Sequence, residues 1–207
     1  MSKFEDTLEI TFRYYETFYS ISFKNYQEII KECNRRGNTK GRTDDDIDII
    51  CECNAKIQRL AITTVVFSCM CIESYINCYG VSNFSKSYFE NYLDKLDLKS
   101  KWVVIPKLVT GNQIKTDLNV FEKLENVITL RNKLVHDKPK IKKVTGIKDT
   151  DWVREEDAKV AIDTVKELVI ELSKIDHKID TNWIKETRDR FFKKIDDNKI
   201  VKEFEKI

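Results

Sequence analysis

The chain of 207 residues contains only five glycines and two prolines, the residues that most often interrupt helices and strands. Charged residues make up 35% of it, well above the quarter that is typical of globular domains. Straight-chain residues such as lysine, glutamate and leucine lose little rotamer freedom in a helix. No run of alternating apolar and polar residues predicts a strand. The sequence therefore predicts an all-α protein, a helical bundle with a sizeable apolar core.

The longest apolar stretch, L-A-I-T-T-V-V-F-S-C-M-C-I, covers residues 60–72. Arg59 and Glu73 bracket it. At this length it is too short to span a bilayer, which needs about 20 apolar residues, so we expect a buried core helix. No membrane association is predicted from it.

Hydrophobic periodicity and helix-stop residues predict a succession of helical elements. Along the chain they cover about residues 4–33, 46–79, 87–96, 99–111, 119–135, 152–175 and 182–204. Gly80 is expected to end the second helix, and Gly111 to close the element that contains Pro106. Thr150 or Asp151 is expected to cap the N-terminus of the helix predicted at 152–175. We interpret residues 1–207 as one domain with its core at about 45–176.

Aromatic side chains crowd the first helix, and three tryptophans are spread over the chain. Their density predicts that the first-helix aromatics belong to the core or to a dimer interface: Tyr14, Tyr15, Phe18 and Tyr19. Trp102 and Trp152 are expected to be packing anchors. A helix at 152–175 should bury a stripe of apolar residues at helical spacing: Ala158, Ala161, Val165, Leu168, Val169 and Leu172.

Six cysteines occur in C-x-C pairs or singly, and both histidines lie far from them. This spacing does not match a zinc site, so no metal is predicted. Cys69, Cys71 and Cys78 lie in the apolar stretch or just beyond it and are expected to be small buried hydrophobes. The opening M-S-K-F-E-D does not resemble a signal peptide. These features predict a protein of the reducing cytoplasm.

The candidate site is the segment L-R-N-K-L-V-H-D-K, near the end of the helix predicted at 119–135. Asn132 and His136 are four residues apart and share a helix face. Arg131 and His136 diverge by about 140° on an ideal helix. Because arginine is long and helix ends distort, the two can still converge. From residue 131 to 148 the chain carries seven basic residues and one acid, which is a block that a phosphate backbone would attract.

These side chains suit phosphodiester chemistry. An unperturbed imidazole titrates near neutrality and can take or give a proton, and a guanidinium matches phosphate oxygens as a fork. With no carboxylate cluster beside them, they favour attack by a ribose 2′-hydroxyl, with His136 as general base or acid and Arg131 stabilising phosphoryl charge. Two copies about a two-fold axis would complete the site. The alternative is an ordinary helix end, where a histidine complements the dipole.

With this motif the sequence resembles the HEPN superfamily, helical nucleotide-binding and ribonuclease domains common in prokaryotic defence and toxin systems. The family's Arg, spacer and His stand here as R-N-K-L-V-H, residues 131–136. The segments K-W-V-V-I-P-K-L-V-T-G at 101–111 and F-S-C-M-C-I-E-S-Y-I-N at 67–77 are similar to flanking elements of one branch. The resemblance covers about residues 60–175.

The resemblance implies a four-helix core with added terminal helices, a homodimer with a composite cleft, and a metal-independent endoribonuclease without a cofactor. It implies that Arg131 and His136 are catalytic and that Asn132 assists them. Glu73 is a candidate helper, or else a buried acid that orients Arg131. Asn77 is expected to be structural.

In family members that are controlled by a nucleotidyltransferase antitoxin, a tyrosine often stands two residues after the histidine. Here Lys138 occupies that place, which speaks against this form of control. The partners implied are RNA and an antitoxin or another defence-system protein. Five lysines near the motif are candidates for steering RNA: Lys133, Lys138, Lys140, Lys142 and Lys143. Two other interpretations stay open, an inactive module that binds a nucleotide or a protein, and a purely structural helical dimer.

Overall fold

The computed structural model describes residues 13–136 and 152–185 of the chain. Within these ranges it has seven α-helices and one π-helical turn, and no strand, which confirms the all-α prediction. The helices are α1 (Tyr14–Asn38), α2 (Asp44–Asn83), α3 (Lys86–Tyr88), α4 (Leu98–Thr110), α5 (Asn119–Val135), α6 (Glu155–Ile175) and α7 (Asn182–Lys185), with the π-helical turn at Phe89–Leu93 between α3 and α4.

Helix α2 is the centre of the bundle, and α1, α4, α5 and α6 all pack against it. Thr43 begins it, because its side chain accepts a hydrogen bond from the backbone N–H of Asp46 at 3.1 Å. Three aspartates in the first turn complement the positive end of the helix dipole. The apolar stretch at 60–72 lies within α2, as predicted. By length and hydropathy α2 could cross a membrane, but half of its most apolar window is buried inside the fold.

Two predicted elements have the expected form. Helix α5 has the predicted bounds, and its inward residues Phe121, Leu124 and Val127 are buried. Helix α6 buries every member of the stripe that the sequence predicts at 158–172. Gly111 closes α4 in the left-handed conformation, with φ 77°, which glycine adopts without a steric penalty.

The first loop is shorter than predicted, because α1 continues to Asn38 instead of ending near Cys33. Arg36 holds the last turn of α1 against two other helices. Its guanidinium donates to Glu155 at 2.6 Å and to Asn54 at 2.9 Å. One turn of helix is thus stabilised by partners that are distant in sequence. The predicted start of this helix, at residues 4–12, lies outside the described residues.

Gly80 does not end α2, as the sequence suggested, because the helix runs on to Asn83. The glycine instead permits a close approach of the π-helical turn. A Cβ atom at position 80 would lie 2.5 Å from Cε2 of Phe89. The prediction of a cap at Thr150 or Asp151 also fails, since α6 begins only at Glu155. There the backbone N–H of Arg154 donates to Asp157 at 2.8 Å.

The aromatic predictions are confirmed in part. Trp102 is fully buried, whereas Trp152 is 53% exposed and is therefore not a packing anchor. Tyr15 and Tyr19 of α1 are buried against Trp183 of α7, with ring centroids 5.0 and 5.4 Å from the indole. The sequence also placed Tyr14 and Phe18 in the core or an interface. In the single chain Tyr14 is exposed and Phe18 is half-buried.

The contact at Gly80 yields a stability prediction. Gly80→Ala forces the new methyl group against the buried Phe89 ring, and we expect it to lower the free energy of unfolding by about 1–3 kcal/mol. Gly37→Ala is the matched control, since a Cβ there meets nothing within 4 Å and alanine favours the helix by up to about 1 kcal/mol. Denaturant unfolding of both variants measures the difference. Equal stabilities would contradict the close approach.

Candidate active site at the end of helix α5

The motif lies where α5 ends. Arg131 and Asn132 are in the last helical turns, and His136 is the residue that caps the helix, with φ −111° and ψ 35°. The His136 backbone N–H donates to the Asn132 carbonyl oxygen at 3.0 Å and closes the final turn. The sequence predicts that this helix ends at about residue 135, and this is confirmed.

The side chains of the motif differ in exposure, because Arg131 lies four residues after buried Val127, on the side of α5 that packs inward. Arg131 is half-buried, and Asn132 and His136 are exposed in the single chain. The Arg131 Nη1 donates to Asn132 Oδ1 at 2.9 Å. This bond holds one N–H group of the guanidinium. The structure thus pairs Arg131 with Asn132 directly.

Helix α2 brings Glu73 to the same region. Burial raises the pKa of the Cys69 thiol to about 11, while the positive charge of Arg131 lowers it and the negative charge of Glu73 raises it. Both charges therefore act on one thiol of α2. Glu73 itself is exposed, so the interpretation of Glu73 as a buried acid is wrong.

The lysines predicted to steer RNA are only partly described. Lys133 is exposed on the last turn of α5. The other four, at positions 138, 140, 142 and 143, lie outside the described residues. Among residues 13–136 and 152–185, no three His, Cys, Asp or Glu side chains lie close enough together to hold a metal ion.

Asn77 has a structural role, as predicted. Its Oδ1 accepts a hydrogen bond from the Lys101 Nζ at 3.0 Å, and this ammonium also lies 3.5 Å from Asp94. Lys101 is only 3% exposed, so a buried charge needs these partners. The contact ties α2 to α4 and does not involve the motif.

A cavity of about 310 Å³ lies on another side of α2, and sequence reasoning missed it. Its wall combines aromatic rings with charged groups, among them Arg13, Tyr15, Tyr75, Lys178 and Trp183. None of the motif residues lines it. The aromatic residues of α1 were the only sequence feature that pointed to this cavity. That α7 folds back to line it as well depends on tertiary packing, which no local sequence pattern predicts.

Comparison with known proteins finds no match: no family model, no curated protein and no solved structure is similar to this chain. A functional assignment therefore depends on the chemistry and placement of the chain's own residues.

The position of Cys69 yields a reactivity prediction. Because the thiolate is the reactive form and burial raises the Cys69 pKa to about 11, alkylation at pH 8 should spare Cys69 in the native protein. Exposed Cys51 is the internal control. Mass spectrometry of the peptides after brief alkylation measures both. Equal labelling of Cys69 and Cys51 would contradict the burial of Cys69.

Proposed function

We propose that the protein is a metal-independent endoribonuclease of the HEPN type that acts as a homodimer. The observation that supports this most is at the end of α5, where Arg131 donates a hydrogen bond to Asn132 and an exposed histidine, His136, caps the same helix. The groups needed for transfer of a phosphodiester bond are present, with Asn132 and His136 exposed and Arg131 half-buried. A single chain presents them on an open surface, and a second copy would enclose them.

In the proposed reaction, one His136 imidazole removes the proton from a ribose 2′-hydroxyl, and this oxygen attacks the adjacent phosphorus. The bond from phosphorus to the 5′ oxygen breaks, and the leaving oxygen takes a proton from the imidazolium of the second subunit. The products are a 2′,3′-cyclic phosphate and a 5′-hydroxyl. An imidazole suits both steps because its unperturbed pKa lies near neutrality.

Arg131 would stabilise the charge that develops on the non-bridging phosphoryl oxygens. Its hydrogen bond to Asn132 holds the guanidinium plane before substrate binds, which lowers the cost of ordering it. Asn132 is thus a positioning residue in this scheme.

RNA is the proposed substrate, and single-stranded regions are favoured because in-line attack needs a splayed backbone. In the cytoplasm an unregulated ribonuclease would be harmful. We therefore propose that an antitoxin or another defence-system protein controls it.

Removal of the motif should abolish cleavage. With total RNA in EDTA, we expect His136→Ala and Arg131→Ala each to reduce the cleavage rate about 100-fold or more. His177→Ala is the matched control, because His177 is the second histidine of the chain and is also exposed. Cyclic phosphate ends on the products identify the reaction. RNA binding without cleavage by the wild type would contradict the enzyme proposal and favour a binding module.

The hydrogen bond between Arg131 and Asn132 predicts a coupled effect. If Asn132 acts only by holding the guanidinium, Asn132→Ala should slow cleavage less than Arg131→Ala does. The double variant should then be no slower than Arg131→Ala alone, because the two residues act as a unit. Single-turnover rates for the four proteins measure this cycle. If the fold-loss in rate of the double variant equals the product of the two single fold-losses, Asn132 acts independently of Arg131.

A further inference from the structure

The outward side of α2 carries a regular seam. Five residues recur at alternating spacings of four and three, which is the repeat of a coiled-coil interface, and none of them is fully buried in the chain. They are Arg59, Thr63, Val66, Met70 and Glu73. The buried residues of α2 lie on the opposite side, against α1, α5 and α6.

The middle of this α2 seam is apolar although it faces outward. Val66 and Met70 are partly exposed there, and half-buried Ile62 and Phe67 flank them. An ordinary amphipathic helix would place charged residues on such a side. In the part of the chain that the structure describes, half of the most apolar window of α2 is not buried. This surface is therefore suited to being covered.

The charges of the seam are symmetric about its centre. Arg59 stands seven residues before Val66 and Glu73 seven residues after it, about 10 Å away on each side. In the part of the chain that the structure describes, neither of these charged side chains forms an ion pair. A second α2 packed antiparallel would bring each arginine opposite the other subunit's glutamate. A two-fold interface requires this kind of self-complementarity.

We propose that a second copy of this chain docks on the α2 seam, antiparallel, with the two-fold axis at Val66. Arg59 would pair with Glu73 of the partner subunit at both ends. The proposal deepens the proposed function, because the composite cleft needs a second copy, but the interface itself forms without any catalysis. It also assigns Glu73 to the interface as a positioning residue.

Helix α5, which carries the motif, packs against α2. The charges of Arg131 and Glu73 both affect the pKa of Cys69, which is three residues from Val66. In the proposed dimer the two α5 helices would lie on either side of the two-fold axis. A lipid surface could also cover an apolar strip, but it would not account for opposite charges placed at equal distances from the centre.

Charge reversal tests the pairing. Arg59→Glu and Glu73→Arg each replace two attractive contacts per dimer with two repulsive ones, and we expect each to raise the dimer dissociation constant about tenfold or more. The double variant restores opposite charges and should return close to wild type. Lys40→Glu, an exposed loop position with the same charge change, should leave the constant unchanged. Sedimentation at low salt measures all four variants, with circular dichroism as the check on folding.

Cross-linking tests the axis. In a Cys51→Ser background, a short bis-maleimide should join Val66→Cys subunits rapidly. Val81→Cys, exposed on the same helix, should not react between subunits, because its two copies would lie about 45 Å apart along an antiparallel pair. Equal cross-linking of the two would overturn the proposal. So would a wild type that stays monomeric and instead floats with phosphatidylglycerol vesicles.

The outcomes separate the two proposals. Self-association that follows the charge-reversal pattern, without RNA cleavage, supports the α2 seam and contradicts the ribonuclease. Cleavage by a protein that sediments as a monomer contradicts the seam and the composite cleft, and leaves the chemistry of the motif intact.

Discussion

The structure depends on the burial of one side of α2. Helices α1, α4, α5 and α6 pack against this 40-residue helix, and the buried arc of its surface holds them in register. Tyr75 of α2 illustrates the packing, because its ring lies 5.0 Å from that of Tyr15 and 5.2 Å from that of Trp183. Elements from both ends of the described chain thus meet on α2. A bundle fixed in this way leaves the other side of α2 and the end of α5 to form the outer surface.

The candidate site follows from that packing. Burial of Phe121, Leu124 and Val127 turns the opposite face of α5 outward. Arg131 follows Val127 by one turn on the inward side, where it is half-buried, and it pairs with the exposed Asn132. The same rotation places Arg131 near α2, where its charge reaches Cys69. Local periodicity, helix packing and proposed chemistry are therefore linked by one orientation of α5.

Sequence periodicity was sufficient where a helix has one apolar face and a clear end. The bounds of α5 and the buried stripe of α6 were predictable for this reason, and so was the place of His136 at a helix end. Distances between helices were not, because they depend on packing. Gly80 gives Phe89 room to approach α2, but in the sequence a glycine at this place indicates a helix end. Likewise, α1 extends beyond its predicted end and past Arg36, which pairs with Glu155 of α6.

Exposure was the other quantity that the sequence could not supply. A tryptophan and an acid beside an apolar run both suggested burial, yet Trp152 and Glu73 face outward. In each case the deciding factor is which side of a helix the neighbours cover. The α2 seam shows the same point, since Val66 and Met70 lie in an apolar run that predicts burial but are only half-buried among the described residues.

The most direct measurement is a crystal structure of the protein with an RNA oligonucleotide that a 2′-O-methyl group protects from cleavage. The account predicts two copies related by a two-fold axis, with one phosphate between their His136 imidazoles and an Arg131 guanidinium on its oxygens. RNA bound away from α5, with both histidines in solvent, would contradict it.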